Sequence, residues 1–345
     1  MLNCMPDERA LYMTSAGSLK FAFNGLVLLI AALVLAACGE SGNKSPETTR
    51  ESVALFTKNQ TNPYFQTIRV AAQAAATELN VDLVNYIPTS NDSIPEQMSQ
   101  IEDAITKHPS AVVFIPVDSK AMIPGVEKFN AAGIPVINLI DRSDGGEFVS
   151  FMGCDDYAVA LNTARYLFEK MNGKGNVIII EGQGGSSNNQ KRVSGFKKAL
   201  EDFPSVKLLA SQTGNFQRAM ALQVTENLLQ AHPQIDGILA ANDAMALGAI
   251  EALDAANRKA LVIGVNGTKE AIDAVKAGKL LATGDCDGFV QGCMGTMAAV
   301  RHLKNLPVPK EVIFPITVFN STNYQGADVP YEQRMCPKWE SIVKN

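Results

Sequence analysis

Beyond residue 50 the chain alternates short apolar runs with stretches of helical, amphipathic period. The runs cover 52–56, 81–87, 111–117 and 135–140, then 177–180, 206–210, 237–241 and 261–265. Between them, 63–79, 94–106, 189–200 and 244–256 repeat apolar positions at helical spacing. Short apolar runs bounded by polar turns read as strands buried on both faces, and their alternation with helices predicts parallel sheets covered on each side. Two such blocks, 51–153 and 155–285, are followed by a helical stretch at 288–306 and a strand-like stretch at 311–319. An additional helix and strand after two complete blocks predict that the chain crosses back between two lobes, and repeated crossings make a hinge. Asn62-Pro63 marks one helix start, because the amide can cap the helix and proline loses nothing at the first helical position. Asp243 is expected to cap another.

Ahead of this region the pattern is different. An unbroken apolar run from residue 26 to 37 is too short to span a bilayer, which takes about 18 residues or more, and it fits the apolar part of a secretory signal. It ends in Leu35-Ala36-Ala37-Cys38, which resembles the lipobox of a bacterial lipoprotein. That resemblance implies cleavage after residue 37 and a lipid on Cys38, with two acyl chains enough for stable attachment. Residues 1–37 are therefore expected to be a lipoprotein signal peptide. Residues 38–50, polar and without hydrophobic period, should be a flexible tether.

Composition narrows the function. The net charge is −5, and because two cations and two acids lie in residues 1–37 it stays −5 without them. Mild acidity argues against nucleic acid, which asks for a basic face. The thiols beyond the leader, Cys154, Cys286, Cys293 and Cys336, follow no metal or disulfide spacing. Mostly buried free thiols are expected, with room for one disulfide. His108, His232 and His302 stand beside no nucleophile or metal motif, and Gly182-Gln183-Gly184-Gly185 lacks the Gly-Lys-Ser/Thr of a phosphate loop. No catalytic centre, metal or cofactor is expected.

Ligands of open parallel sheets sit at the carboxyl ends of the strands, so polar residues there carry most information. Lys58 through Phe65 combine a cation, amides and two aromatic rings at one strand-to-helix junction. Asp141-Arg142, Asn242-Asp243 and Asn266 follow three other strands. Hydroxyls need paired hydrogen bonds and the C–H face of a sugar packs on rings, so this mixture suits a polyhydroxylated ligand. Taken singly, Phe65 reads equally well as core, Asn62 as a cap and Asp141-Arg142 as a surface ion pair.

Thr61-Asn62-Pro63-Tyr64-Phe65, Ile134-Pro135-Val136 through Asp141-Arg142, Gly195-Phe196, Ala240-Ala241-Asn242-Asp243 with Met245-Ala246-Leu247-Gly248, and Gly264-Val265-Asn266-Gly267 together resemble the ribose-binding type of periplasmic sugar-binding proteins, which feed ABC importers. The resemblance implies an α/β fold of the type I periplasmic binding protein: two doubly wound parallel-sheet lobes joined by three crossings near Cys154, Cys286 and Pro315. The lobes would comprise 51–153 plus 286–314 and 155–285 plus 316–345, the tail packing on the second. It implies ligand contacts from Lys58, Asn62, Tyr64, Phe65, Asp141 and Arg142 in the first lobe, and from Gln190, Phe216, Asn242 and Asn266 in the second. Gln190 falls where ribose binders carry an arginine, and Arg192, two places on, is expected to face elsewhere. The family's aspartate is Asn266 and its glutamine falls at Cys286, so a hexose, another pentose or a sugar alcohol is expected rather than ribose. Asp141 also follows one extra residue in 136–140. The resemblance further implies a monomer docking on an ABC permease, with presentation of the closed form to a histidine kinase or chemoreceptor as the alternative.

Overall fold

The computed structural model describes residues 50–343; the leader, Cys38 and nearly all of the tether lie outside them. The first sheet is built from β1 (Ser52–Phe56), β2 (Asp82–Tyr86), β3 (Ala111–Phe114), β4 (Val136–Leu139) and β5 (Ser150–Cys154), with α1 (Pro63–Leu79), α2 (Ile94–Thr106) and α3 (Ile123–Ala131) between them. The second contains β6 (Lys174–Glu181), β7 (Ser205–Thr213), β8 (Gly237–Ala240), β9 (Leu261–Val265) and β10 (Ala282–Asp285). Its helices are α4 (Asp156–Lys170), α5 (Ser187–Asp202), α6 (Arg218–Ala231), α7 (Asp243–Ala255) and α8 (Lys269–Lys276). The chain then returns as α9 (Gly288–Leu303) and β11 (Glu311–Phe314) to the first lobe, and as β12 (Thr317–Asn320) to the second.

Strand order is β11-β5-β4-β3-β1-β2 in one sheet and β12-β10-β9-β8-β6-β7 in the other. All pairings are parallel except β12 on β10. The stretch 311–319 is thus two strands in different sheets. Pro315 separates them, because it has no N–H to continue a ladder. Strand β5 was not among the expected runs: its sequence, SFMGC, is short and mixed, although every residue in it is buried.

Both sheets are buried on their two faces. In the first lobe Ile68, Ala72 and Met294 pack on one face and Phe56, Phe114 and Phe129 on the other. In the second lobe one continuous cluster holds Phe168, Ile179, Phe196 and Val265. Each of these side chains larger than alanine contributes about 1.5–3 kcal/mol by leaving water. The α1 start is as expected, with the Asn62 side chain accepting from the Tyr64 N–H at 3.0 Å. At α7 the cap is Asn242, which accepts from the Met245 N–H at 2.9 Å. Asp243 instead turns inward to Thr268 and Thr283.

Two expectations are corrected. All four thiols among the described residues are in disulfides, Cys154–Cys286 and Cys293–Cys336. The first pair is 132 residues apart in sequence but 5.9 Å apart between Cα atoms, because both residues lie where the chain passes between lobes. The tail, expected on the second lobe, divides. Through Asp328 it stays there, with Tyr324 on the second-lobe core and Asp328 paired to Lys276 at 2.9 Å. From Tyr331 onward it lies on the first lobe, where Trp339 and Val343 join the core beside Ile68 and Ala71. The Cys293–Cys336 bond, Arg334 on Asp287 at 2.7 Å and Arg301 over the Trp339 ring hold it there.

Candidate ligand-binding site

The carboxyl ends of the two sheets face one cleft. In the first lobe the turn after β1 organises itself. The Asn59 side chain accepts from the Asn62 N–H at 2.9 Å and donates to Asp92 at 2.8 Å, which fixes both ends of the loop. The first turn of α1 then presents Tyr64 and Phe65 edge to face, with ring centroids 6.0 Å apart. The Tyr64 hydroxyl accepts from the Gln291 side chain at 2.9 Å, and burial pushes its pKa well above the usual phenol value. It is an anchored ring rather than an acid.

In the second lobe Phe216 follows β7 with a φ of 59°. Its carbonyl accepts from the Asn242 amide at 3.1 Å, and Gly182 leaves room beneath its ring, where a Cβ would collide. On α5, Arg192 donates to Asp156 at 2.8 Å, to the Ala241 carbonyl at 2.8 Å and to Asn266 at 3.0 Å. Three of the five N–H donors of this buried guanidinium are therefore engaged, as its fixed fork geometry favours.

These groups line a narrow cavity of about 30 Å³ between the lobes. Of the residues expected to contact ligand, Lys58, Asn62, Tyr64, Phe65, Phe216, Asn242 and Asn266 line it. Arg142 does not: its guanidinium stacks 3.7 Å from the Phe151 ring and pairs with Glu311 at the outer edge. Gln190 is exposed and donates to the Gly184 carbonyl at 3.0 Å. The arginine of this wall is Arg192. Helical period could have found it, since Arg192 lies four residues before the buried Phe196 and shares its face, whereas Gln190 lies on the opposite side.

Asp141 is also placed differently from expectation. It is fully buried, its partner is Lys58 rather than Arg142, and Ile140 takes its place in the cavity wall. The extra residue before it is absorbed as a three-residue turn in which the Asp141 N–H bonds to the Leu139 carbonyl at 2.8 Å. Ile140 at its centre has a φ of 66°, a strained conformation for a β-branched residue. Asn138 on β4 stabilises the turn, donating to the Asp141 carbonyl at 2.9 Å and accepting from the Ser143 N–H at 3.1 Å. Asn59 of the Lys58–Phe65 stretch lines the cavity as well, and so do Asp92, Ser186 and Asn188, which carried no distinguishing motif.

Burial raises every carboxyl here, and partners decide the outcome. Asp141 ends below the usual range because Lys58 and two serines outweigh its burial. Asp156 stays above it despite Arg192, and Asp92 is raised by burial with Lys58 only partly offsetting this. Among the described residues no cluster of His, Cys, Asp and Glu could hold a metal ion.

Residues 53–307 match the family model described as a periplasmic binding protein domain. The chain belongs to this family. As a periplasmic binding protein of the ribose-binding type, it is 34% identical to the ribose import binding protein of Haemophilus influenzae, over 80% of this chain and 94% of that one. It is 28% identical to the xylitol-binding protein of Mycolicibacterium smegmatis, over 72% and 71%. Among solved structures, a periplasmic solute-binding protein of Actinobacillus succinogenes with bound D-allose superposes with a TM-score of 0.76 at 33% identity, covering 80% of this chain and all of that one. The two parallel-sheet lobes are thus the type I fold of this family, whose members bind solutes and are not enzymes.

Proposed function

We propose that this protein is an extracytoplasmic, lipid-anchored receptor that captures one monosaccharide or sugar alcohol between its lobes and delivers it to an ABC importer. The observation that carries the reading is the cavity itself: Tyr64, Phe65 and Phe216 supply ring faces, while Asn62, Asp92, Arg192 and Asn266 supply donors and acceptors from both lobes. A compact polyol needs both kinds of surface, and closure of the lobes removes it from water. Lys58 and Asn242 shape the wall while bonded to Asp141 and the Phe216 carbonyl respectively.

The sugar differs from ribose in the hydroxyl pattern it presents. Asn266 stands where the resemblance puts an aspartate, and Ile140 rather than Asp141 faces the cavity, so the walls carry two carboxylates fewer than that pattern implies. A hydroxyl left unpaired there costs about 1–3 kcal/mol. The relatives named for ribose and xylitol and the allose-bound structure set the range of candidates. A thermal-shift panel of pentoses, hexoses and alditols tests the reading, since a ligand at 100 times its dissociation constant adds about 2.7 kcal/mol of stability. One or a few related compounds should raise the melting temperature by several degrees; no response across the panel would refute sugar binding. The anchor is tested separately by Cys38→Ser, which should release the protein from membranes with its melting temperature unchanged.

A further inference from the structure

Asp141 spends its whole carboxylate on protein. From its own lobe it accepts from Lys58 and from the Ser119 hydroxyl at 3.4 Å. From across the cleft the amino end of α5 supplies the rest: the Ser186 hydroxyl at 2.6 Å, the Ser187 N–H at 3.0 Å, the Asn188 N–H at 3.3 Å and the Ser187 hydroxyl. Three further bonds flank this contact: Ser119 N–H to the Gly185 carbonyl at 3.0 Å, Ser187 N–H to the Ser119 hydroxyl at 3.1 Å and Arg142 N–H to the Ser187 hydroxyl at 3.2 Å. Gly185 lies directly against the Asp118 carboxylate of the opposite lobe, where a Cβ would force that side chain aside.

We propose that Asp141 is a positioning residue that latches the lobes shut, and not a contact to the bound molecule. The strained turn at Ile140 makes this possible by turning the isoleucine into the cavity and the carboxylate toward α5. An anion at a helix start satisfies N–H groups that have no partner within the helix and meets the favourable end of its dipole. When the lobes separate, Asp141 keeps only Lys58 and Ser119 while the α5 donors return to water. The latch therefore raises the share of closed molecules before any ligand arrives, and ligand affinity rises by the same factor for every ligand. Asp92, the only carboxylate among the residues lining the cavity, is left to discriminate between hydroxyl patterns.

The inference rests on the binding reading only for what the latch encloses, so its first test uses no ligand. Small-angle X-ray scattering of the ligand-free protein should show a substantial closed population. Asp141→Asn and, independently, Ser187→Ala should increase the radius of gyration while melting remains cooperative. Ser187→Ala leaves the Lys58–Asp141 pair intact, so it remains informative if Asp141→Asn unfolds. Scattering of Ser187→Ala that superposes on wild type would overturn the latch. A second arm titrates D-ribose, D-allose and xylitol as probes. Asp141→Asn should weaken each compound that binds by the same factor, roughly tenfold, through faster dissociation, whereas Asp92→Asn should change their ranking. A changed ranking in Asp141→Asn would instead make it a ligand contact and defeat the proposal. If none of the three binds, the sugar reading falls while the scattering result still decides the latch.

Discussion

In the first lobe the Lys58 ammonium meets Asp141 and the carboxylate turns outward to the second lobe; in the second lobe Arg192 meets Asp156 and the guanidinium turns outward to the cavity and to Asn266. Both pairs are buried, yet Asp141 is held below the ordinary carboxylate range and Asp156 above it. Burial is the largest influence on each. The difference lies in what remains: Asp141 gathers hydroxyl donors in addition to Lys58, whereas Asp156 shares Arg192 with two other acceptors and feels the charge of Asp141. Asn188 stands between the pairs. In the amide orientation that satisfies its neighbours, its nitrogen is 3.3 Å from Asp141 and 3.3 Å from Asp156. One pair is thus built to join lobes and the other to present a cation.

Arg192→Ala should perturb the molecule most. It strands Asp156 in a buried position, which costs about 3–5 kcal/mol for such pairs, and it removes a charged donor from the cavity, worth roughly tenfold to hundredfold in affinity. Melting and sugar titration should therefore both suffer. Arg192→Lys should recover part of the stability and little of the affinity, because an ammonium cannot reach Asp156, the Ala241 carbonyl and Asn266 together. If Arg192→Ala binds sugar normally, the second-lobe pair is structural only.

Next in size is the hinge disulfide. Cys154 lies two residues before Asp156, and its bond to Cys286 ties two of the passages between lobes. Replacing both cysteines with serine should lower stability by about 2–4 kcal/mol, read as a lower urea midpoint. The effect on affinity should be smaller than that of Arg192→Ala, since neither sulfur lines the cavity. A larger loss of affinity than of stability would mean that the disulfide, and not the Arg192 contact, positions Asp156.

Sequence signals for the two lobes divide along the same line. The first-lobe cluster from Lys58 to Phe65 is contiguous, so a cap signal and two aromatic residues on one helical turn located it from sequence alone. The two-lobed organisation was legible from the repeated alternation of runs and helices. Residues whose roles depend on distant partners were not. Arg142 beside Asp141 suggested a pair, but the turn at Ile140 aims adjacent side chains in opposite directions, toward α5 and toward Glu311. The disulfides depend on where the chain passes between lobes, and no spacing encodes that. The tail changes lobe after Asp328 because an apolar surface between α1 and α9 accepts Trp339, which only the folded arrangement reveals.

A third carboxylate sharpens the contrast by having no cation bonded to it. Asp285 ends β10 next to the hinge cysteine, accepts the Asp287 N–H at 2.8 Å, and lies beside Asp287, which Arg334 engages. Burial and the Asp287 charge push its pKa up to about 8. A folded-state value above the unfolded value of about 3.9 means the native state holds the proton more tightly. The associated stability is complete below about pH 4 and is lost as pH rises through about 8. Asp285→Asn keeps an acceptor for the Asp287 N–H and cannot ionise. It should flatten the decline of melting temperature between pH 5 and 8 and gain on the order of 2 kcal/mol at the upper end, after allowance for its partly accessible edge. An unchanged pH profile would show that Asp285 is ionised in the native protein and compensated by its surroundings.

Arg142 and Gln190 mark the boundary of the site. Both occupy positions that the family resemblance assigned to ligand contact, yet Arg142 stacks on Phe151 beside Glu311 and Gln190 is exposed on α5. The Arg142–Glu311 pair is solvent-accessible, so it contributes about 0–1 kcal/mol, and the stacked guanidinium adds about 0.5–1 kcal/mol at such a site. Arg142→Ala should lower stability by about 1 kcal/mol and change affinity for any bound sugar less than about twofold; its backbone N–H, which reaches Ser187, is retained. Gln190→Ala should be neutral in both. The pair of variants bears directly on how the lobes are used: if either alters sugar affinity tenfold, the cavity wall extends beyond the two buried ion pairs, and the strained turn at Ile140 would then have to serve ligand contact on both of its sides.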